Sequence, residues 1–383
     1  MAALLALVGL AACAPQVPRA QFYGGPAAPL FAGGPQAPTQ APVARVAVLL
    51  PMSGPQAALG PAMLNAATMA LFESGARGVE LVPRDTTGSS GGASEAVRSA
   101  LAEGARVVVG PLTGSETTAA AGQARAAGVP VIAFTNDVEQ AGNGVWAAGL
   151  TPSQQVRRLL VSAQAAGVRR MGLAGPDGPF TRQLANALRN ASREAGMSPP
   201  VIVTYPGAAS RPQAAGQVVA QAGTEAIGLL ILGESGAQAR EMAAALAAAG
   251  VGAPATRLGG PALWAGDASL ASEPALAGAL VPGPDPGARA AFEARYEAAF
   301  GSRPPRLAAT AYDATSAALR SVRPFDPTTP AALPVGEPLQ GAEGAFRLLP
   351  NGQVQRALAV YALTPGAEPQ MVEPPLMPGA AGS

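Results

Sequence analysis

Residues 106–137, RVVVGPLTGSETTAAAGQARAAGVPVIAFTND, decide the fold. Arg106 to Gly110 is a short β-branched run closed by glycine, and the alanine-rich segment from Ser115 to Ala127 has helical character, so the order is strand, tight turn, helix. Gly128 stops the helix, and Val129 to Phe134 reads as a second strand. Two parallel strands joined by one helix make a βαβ unit, whose loops open into a crevice at the carboxyl edge of the strands. That edge carries Leu112, Thr113, Gly114, Ser115 and Glu116 after the first strand, and Thr135, Asn136 and Asp137 after the second. Small hydroxyl and amide groups beside a helix N-terminus suit a small polar or anionic group. Taken singly, Thr113 and Ser115 also serve as helix caps, and Asn136 and Asp137 as turn residues. The pair of loops on one edge is what points to a ligand.

The same alternation runs outward on both sides. Upstream, Val43 to Leu50 is an almost wholly apolar strand of the kind buried on both faces of a parallel sheet. The turn Pro51-Met52-Ser53-Gly54-Pro55, a helix over 60–73, a strand over 79–83 and a helix over 94–103 follow. Downstream of Gly149, helices over 151–167, 179–196, 213–223 and 235–250 alternate with strands over 170–174, 201–205, 226–232 and 257–260. This is α/β grammar with parallel strands, written twice. Two helices over 285–300 and 307–322 come next, then a terminal hairpin pairing 345–348 with 358–363 around Pro350-Asn351-Gly352.

Composition narrows the function. At 383 residues with 49% hydrophobic content, the chain is long enough for two ordinary domains. Its 25 basic and 24 acidic residues nearly cancel, which leaves no basic face for nucleic acid. There is no histidine, hence no imidazole base or metal ligand, and no Gly-x-Ser-x-Gly elbow. Gly110 to Gly114 lacks the lysine of a phosphate-binding loop, and carboxylates at metal-ligand spacing are absent. An enzyme is therefore disfavoured, and neither cofactor nor metal is expected.

The N-terminus reads differently from the body. Ala2 to Ala12 is continuously apolar or small, too short to span a bilayer but of the length of a signal-peptide apolar region. Leu10-Ala11-Ala12-Cys13 resembles the lipobox of bacterial lipoproteins, which implies acylation of Cys13 and a membrane anchor; no Lys or Arg precedes the apolar run. Residues 14–42, rich in Pro, Gly, Ala and Gln, read as a disordered tether, and 365–383 as a disordered tail.

Four segments carry a wider resemblance: VAVLLPMSGPQAALGPAMLNAATMAL, VVVGPLTGSETTAAAGQARAAGVPVIAFTND, FEARYEAAFGSRPPRLAATAYDATSAAL and GAFRLLPNGQVQRALAVYAL. With weaker matches between them they cover nearly all of 43–363, and the chain resembles the type I periplasmic binding proteins of the branched-chain amino-acid (Leu/Ile/Val) group. The resemblance implies an α/β fold of two Rossmann-like lobes with mainly parallel sheets, joined by three crossover strands and closing on a small ligand. It places lobe 1 at 43–149 and 262–338, and lobe 2 at 150–261 and 339–364. It also implies that hydroxyls and amides of Thr113, Gly114 and Ser115 hold a ligand carboxylate and that Thr135, Asn136 and Asp137 add polar contacts. Ser53, Phe180, Tyr205, Glu234 and Trp264 complete the expected ligand-binding set, although Tyr205 and Trp264 suit core packing equally.

Two departures bear on the ligand. The second-lobe acid that accepts an amino group in this group of proteins falls at or near Ala237, with Glu234 three residues earlier, and Asp137 stands where a threonine is usual. A negative charge close to a carboxylate site disfavours a free α-amino acid, leaving a tripeptide, a sugar fragment, an amide or no ligand at all open. Two roles follow from the resemblance: a lipid-anchored solute-binding protein serving an ABC permease, or a penicillin-binding protein activator that works by touching a cell-wall synthase.

Overall fold

The computed structural model describes residues 43–322 and 331–378. Cys13, the apolar leader, the tether over 14–42 and the last five residues lie outside the described residues.

In chain order the elements are β1 (Ala44–Leu50), α1 (Gly60–Ser74), β2 (Val79–Asp85), α2 (Ser90–Ala102), β3 (Ala105–Val109), α3 (Gly114–Ala126), β4 (Val131–Ala133) and β5 (Val145–Ala147). The chain continues through α4 (Pro152–Ala165), β6 (Met171–Pro176), α5 (Pro179–Glu194), β7 (Val201–Tyr205), α6 (Arg211–Ala222), β8 (Leu229–Leu232), α7 (Gly236–Ala248), β9 (Arg257–Gly259) and β10 (Leu280–Gly283). It ends with α8 (Pro286–Phe300), α9 (Arg306–Ser321), β11 (Leu339–Gly341), β12 (Gly344–Leu348), β13 (Val354–Arg356), β14 (Leu358–Ala362) and β15 (Gln370–Leu376).

Two sheets organise two lobes. The first has the order β2-β1-β3-β4-β5, parallel throughout. Side chains of β1 alternate between its faces. Val46, Val48 and Leu50 join the core made with α1 and α9, while Ala47 and Leu49 join the one made with α2 and α3. Covering on both faces is why the strand reads as an uninterrupted apolar run. The second sheet, β15-β14-β10-β9-β8-β6-β7, follows the same rule. Leu230 and Leu232 face the core that holds Ala214, Val218, Met242 and Leu246 of α6 and α7, and Leu229 and Ile231 face the one that holds Leu159 and Leu188 of α4 and α5. The first-lobe core is built largely from alanine; Ala66 and Ala67 of α1 and Ala311, Ala314 and Ala318 of α9 let those two helices pack closely.

The chain crosses between lobes three times: after β5, after β10 and after β13. These crossings place the lobe boundaries differently from the sequence expectation. Residues 262–283, expected in lobe 1, belong with lobe 2, because β10 pairs with β9 and β14, and Trp264, Leu270 and Leu276 fill the second-lobe core. Residues 339–356, expected in lobe 2, form a small antiparallel sheet whose Leu339, Phe346, Leu348 and Val354 pack into lobe 1. The terminal hairpin is accordingly β12 with β13, while β14 crosses over and pairs antiparallel with β10. The tail read as disordered holds a strand: β15 lies antiparallel to β14 at the edge of the second sheet, where Pro374 and Pro375 are tolerated because an edge leaves one set of N–H groups unused. Arg158 fastens it, donating to the carbonyls of Leu358 (2.6 Å) and Pro374 (3.2 Å) and pairing with Glu373 at 2.8 Å.

A buried ion pair lies beside two of the crossings. Asp313 of α9 is 1% exposed and Arg356 at the end of β13 is 3% exposed. The Arg356 guanidinium donates to the Asp313 carboxylate and to the carbonyl of Ala148 at 3.0 Å, and Asp313 also accepts the N–H of Ala342 at 2.6 Å. One pair thus joins α9, the small sheet and the first crossing.

Candidate functional site

The carboxyl ends of the strands from both lobes face a cleft of about 540 Å³, within the roughly 300–1,000 Å³ usual for small-molecule sites. From lobe 1 it takes the loop after β3 (Leu112, Thr113, Gly114), the loop after β4 (Phe134 to Asp137) and the first turns of α9 (Arg306, Leu307, Thr310). From lobe 2 come Gln155 of α4, Phe180 of α5 and the segment Pro261 to Leu263 after β9. The crossings supply Gly149, Leu150, Pro284 and Leu358. Most of this lining is apolar.

The loop after β3 is fixed by a capping box. The Thr113 side chain accepts from the Glu116 N–H at 3.3 Å, and the Glu116 carboxylate takes both the Thr113 N–H (2.9 Å) and the Thr113 hydroxyl (2.7 Å). Glu116 is wholly buried. Two of the donors that sequence reasoning reserved for a ligand carboxylate, the Thr113 N–H and hydroxyl, are therefore already engaged by an internal one. Asp137 stands beside the same loop: a Cβ added to Gly114 would lie 3.0 Å from its Oδ2. Its Oδ1 accepts from Gln183 of α5 at 2.8 Å, a hydrogen bond that bridges the lobes. A second bridge runs from Arg306 to the carbonyl of Ala262 at 3.1 Å.

Arg306 is the only cation lining the cleft, and no carboxylate lies within ion-pair distance of it among the described residues. The other charged residue beside it, Glu343, is held by Arg289 at 2.7 Å, and Arg289 also binds Glu293. Desolvation by surrounding protein draws the Arg306 pKa down, with Glu343 opposing and Arg289 reinforcing, although the side chain keeps contact with solvent at the cleft. A guanidinium starts so high that it stays charged at neutral pH. One turn along α9, the Thr310 hydroxyl lines the cleft without a hydrogen-bond partner among the described residues, in a residue only 7% exposed.

Of the residues expected to bind ligand, Thr113, Gly114, Thr135, Asn136, Asp137 and Phe180 do line this cleft. Five others do not. Ser53 turns to Asp85, donating its hydroxyl to Oδ2 at 2.6 Å. Ser115 is exposed on α3 with its hydroxyl 3.2 Å from that of Thr113. Glu234 is buried in an ion pair with Arg211 at 2.9 Å, with the Tyr205 ring packed beside it, and that environment pushes the tyrosine hydroxyl pKa far up, burial first and the neighbouring carboxylate second. Trp264 is fully buried, its indole N–H donating to the Glu234 carbonyl at 2.8 Å. These three are buried in lobe 2: Tyr205 ends β7, Glu234 follows β8, and Trp264 lies in the turn after β9. Sequence reasoning missed Gln155, Arg306 and Thr310. Arg306 did carry one signal, a positive charge on the first residue of a helix, where the dipole disfavours it.

Among the described residues no group of three or more His, Cys, Asp or Glu side chains is placed to hold a metal ion.

A periplasmic binding protein family profile matches residues 43–367. Solved structures with the same fold include a leucine-binding protein from Thermotoga maritima (19% identity, covering 87% of this chain and 99% of that one, TM-score 0.60). A branched-chain amino-acid ABC transporter periplasmic ligand-binding protein from Burkholderia xenovorans aligns at 17% identity over 87% and 94% of the two chains, with a TM-score of 0.67. A solute-binding protein of an ABC transporter from R. palustris, solved with benzoate, aligns at 18% identity over 89% and 99%, with a TM-score of 0.60. No curated protein matches the chain.

Proposed function

Since the chain belongs to the periplasmic binding protein family, we propose that it captures a small solute between its two lobes outside the cytoplasm and delivers it to an ABC-type permease. The carrying observation is the cleft itself, about 540 Å³ and lined from both lobes and all three crossings. A ligand that touches both lobes favours the closed arrangement by the difference in its affinity for closed and open forms. The contacts we assign to the ligand are Thr113, Gly114, Thr135, Asn136, Asp137 and Phe180. Anchoring through an acylated Cys13 belongs to the same proposal, on the strength of the Leu10-Ala11-Ala12-Cys13 motif.

The similar structures named for leucine and branched-chain amino acids, and the one solved with benzoate, support a small organic solute. A role exerted only through contact with a cell-wall synthase has no need of such a cleft, which sets capture ahead of it. The test is a thermal-shift screen of the full chain against amino acids, short peptides, sugars and organic acids. A ligand at about 100 times its Kd stabilises the folded state by about 2.7 kcal/mol. Silence across the panel, together with recovery of a cell-wall synthase rather than a permease from solubilised envelope, would overturn solute capture.

A further inference from the structure

We propose that the cleft takes a carboxylate with an apolar body and no adjacent ammonium group, and that the carboxylate docks on Arg306 and Thr310 of α9 instead of on the loop after β3. The proposal rests on the solute-capture reading and adds a ligand class and an orientation to it.

Charge distribution carries the first step. The loop after β3 has spent the Thr113 N–H and hydroxyl on the buried Glu116 carboxylate, and Asp137 stands against Gly114. A ligand anion placed there would meet two carboxylates in a low-dielectric recess, an arrangement that disfavours charge. Across the cleft the balance is reversed. Arg306 keeps its charge, has no acidic partner within reach, and stands on the first residue of α9, where the helix dipole adds to the positive potential. Thr310 is the i+4 neighbour of Arg306, on the same helix face. Its hydroxyl is unpartnered, in a residue more than nine-tenths buried that lines the cleft. Guanidinium and hydroxyl together offer a carboxylate charge-assisted hydrogen bonds.

Apolar lining carries the second step. Phe134, Phe180, Leu112, Leu150, Leu307 and Leu358 surround the space between α9 and the opposite loops, which suits an aromatic or branched aliphatic body. An ammonium adjacent to the carboxylate would lie against the Arg306 guanidinium. Of the carboxylates that could offset it, Glu343 is paired with Arg289, and Asp137 stands against Gly114 of the loop after β3, across the cleft from Arg306. The substrate class is therefore a simple aromatic or branched-chain organic acid.

The test titrates the full chain calorimetrically with phenylacetate, 4-methylpentanoate, phenylacetamide, L-phenylalanine and L-leucine, alongside the Arg306→Gln and Thr310→Val variants. The acids are expected to bind, the neutral amide and the amino acids to bind at least about tenfold more weakly, and Arg306→Gln to lose at least about tenfold in affinity for the acids, the scale of one charge-assisted contact. Thr310→Val preserves shape and is expected to lose roughly threefold or more. Circular dichroism and melting temperature confirm that each variant is folded. Acid and amide binding alike, an unchanged Arg306→Gln affinity, or L-leucine binding as tightly as 4-methylpentanoate overturns the proposal while leaving solute capture standing. Failure of every compound in the panel overturns the ligand class, while solute capture is decided by the wider thermal-shift screen and envelope recovery.

Discussion

Removing one half of the Asp313–Arg356 pair is expected to destabilise the protein strongly, and removing both halves is expected to cost much less than the sum. The two groups are 1% and 3% exposed, so neither charge can be solvated where it stands. Asp313→Ala leaves the Arg356 guanidinium with only the Ala148 carbonyl, and Arg356→Met leaves the Asp313 carboxylate with only the Ala342 N–H. Stranding a buried charge costs about 3–5 kcal/mol. At about 2 °C per kcal/mol for a chain of this size, each single variant should melt about 6–10 °C lower. In the double variant no charge is stranded; the Ala148 carbonyl and the Ala342 N–H are orphaned, at about 1–3 kcal/mol each. At the middle of these ranges the single losses sum to about 8 kcal/mol and the double costs about 4, so the expected coupling is about 4 kcal/mol. Differential scanning calorimetry of the four proteins, with urea unfolding as a second measure, supplies the cycle. Additive losses, or a single variant that melts within about 2 °C of the parent, would show that the pair is not the electrostatic unit described.

Trp264→Ala should cost about 3–5 kcal/mol of stability, and Trp264→Phe about 1–3 kcal/mol for the orphaned Glu234 carbonyl, with ligand affinity unchanged in the folded Phe variant; a calorimetric affinity loss without a stability loss would return Trp264 to the cleft. Gln183→Ala removes a hydrogen bond between the lobes worth about 0.5–1.5 kcal/mol, so small-angle scattering of the unliganded protein should show a larger mean radius of gyration, and an unchanged radius would mean that this bond does not bias closure. Burial, the largest single effect, pushes the Asp85 carboxyl up, but the Ser53 hydroxyl and then the N–H groups of Thr87, Ser53 and Met52 together favour its ionised form and bring it below its ordinary value of 3.8. With the folded value below the unfolded one, this contribution to stability is present at neutral pH and is lost as pH falls through the folded value. Ser53→Ala should move the Asp85 titration upward by NMR, and no movement would remove the hydroxyl as the cause.

Legibility from sequence divides along physical lines. Strands buried on both faces, such as Val46 to Leu50 and Leu229 to Leu232, announce themselves by composition, and glycine at Gly110 and Gly128 punctuates the alternation. The two loops that open on the cleft were therefore readable at Thr113 and at Thr135 to Asp137. What a sequence does not show is direction at a strand end. Tyr205 and Glu234 end strands as cleft residues would, yet their side chains turn toward Arg211, and no local pattern marked that arginine as their partner. Residues brought in by the crossings are equally silent, since Arg306 and Thr310 lie about 170 to 200 positions beyond the loops they face. The lobe boundaries slipped for a related reason: β10 is a four-residue strand containing Pro282 that gives little sequence signal, and only the pairing partners of β10 and β12 decide which sheet each joins. The Pro-containing strand β15 was hidden because proline normally argues against a strand, and an edge position is the exception.

Gly149 marks the point where the first crossing meets the cleft. It sits on the first crossing with its N–H donated to the Thr135 carbonyl at 3.0 Å, so close to the cleft loop that a Cβ there would lie 2.7 Å from the carbonyl oxygens of Phe134 and Thr135. On the solute-capture proposal, the segment that would flex and the loop that would touch the solute are in direct backbone contact, with no chain of side chains between them. Under that proposal, variants that bind but no longer bend should cluster within a few residues of this junction.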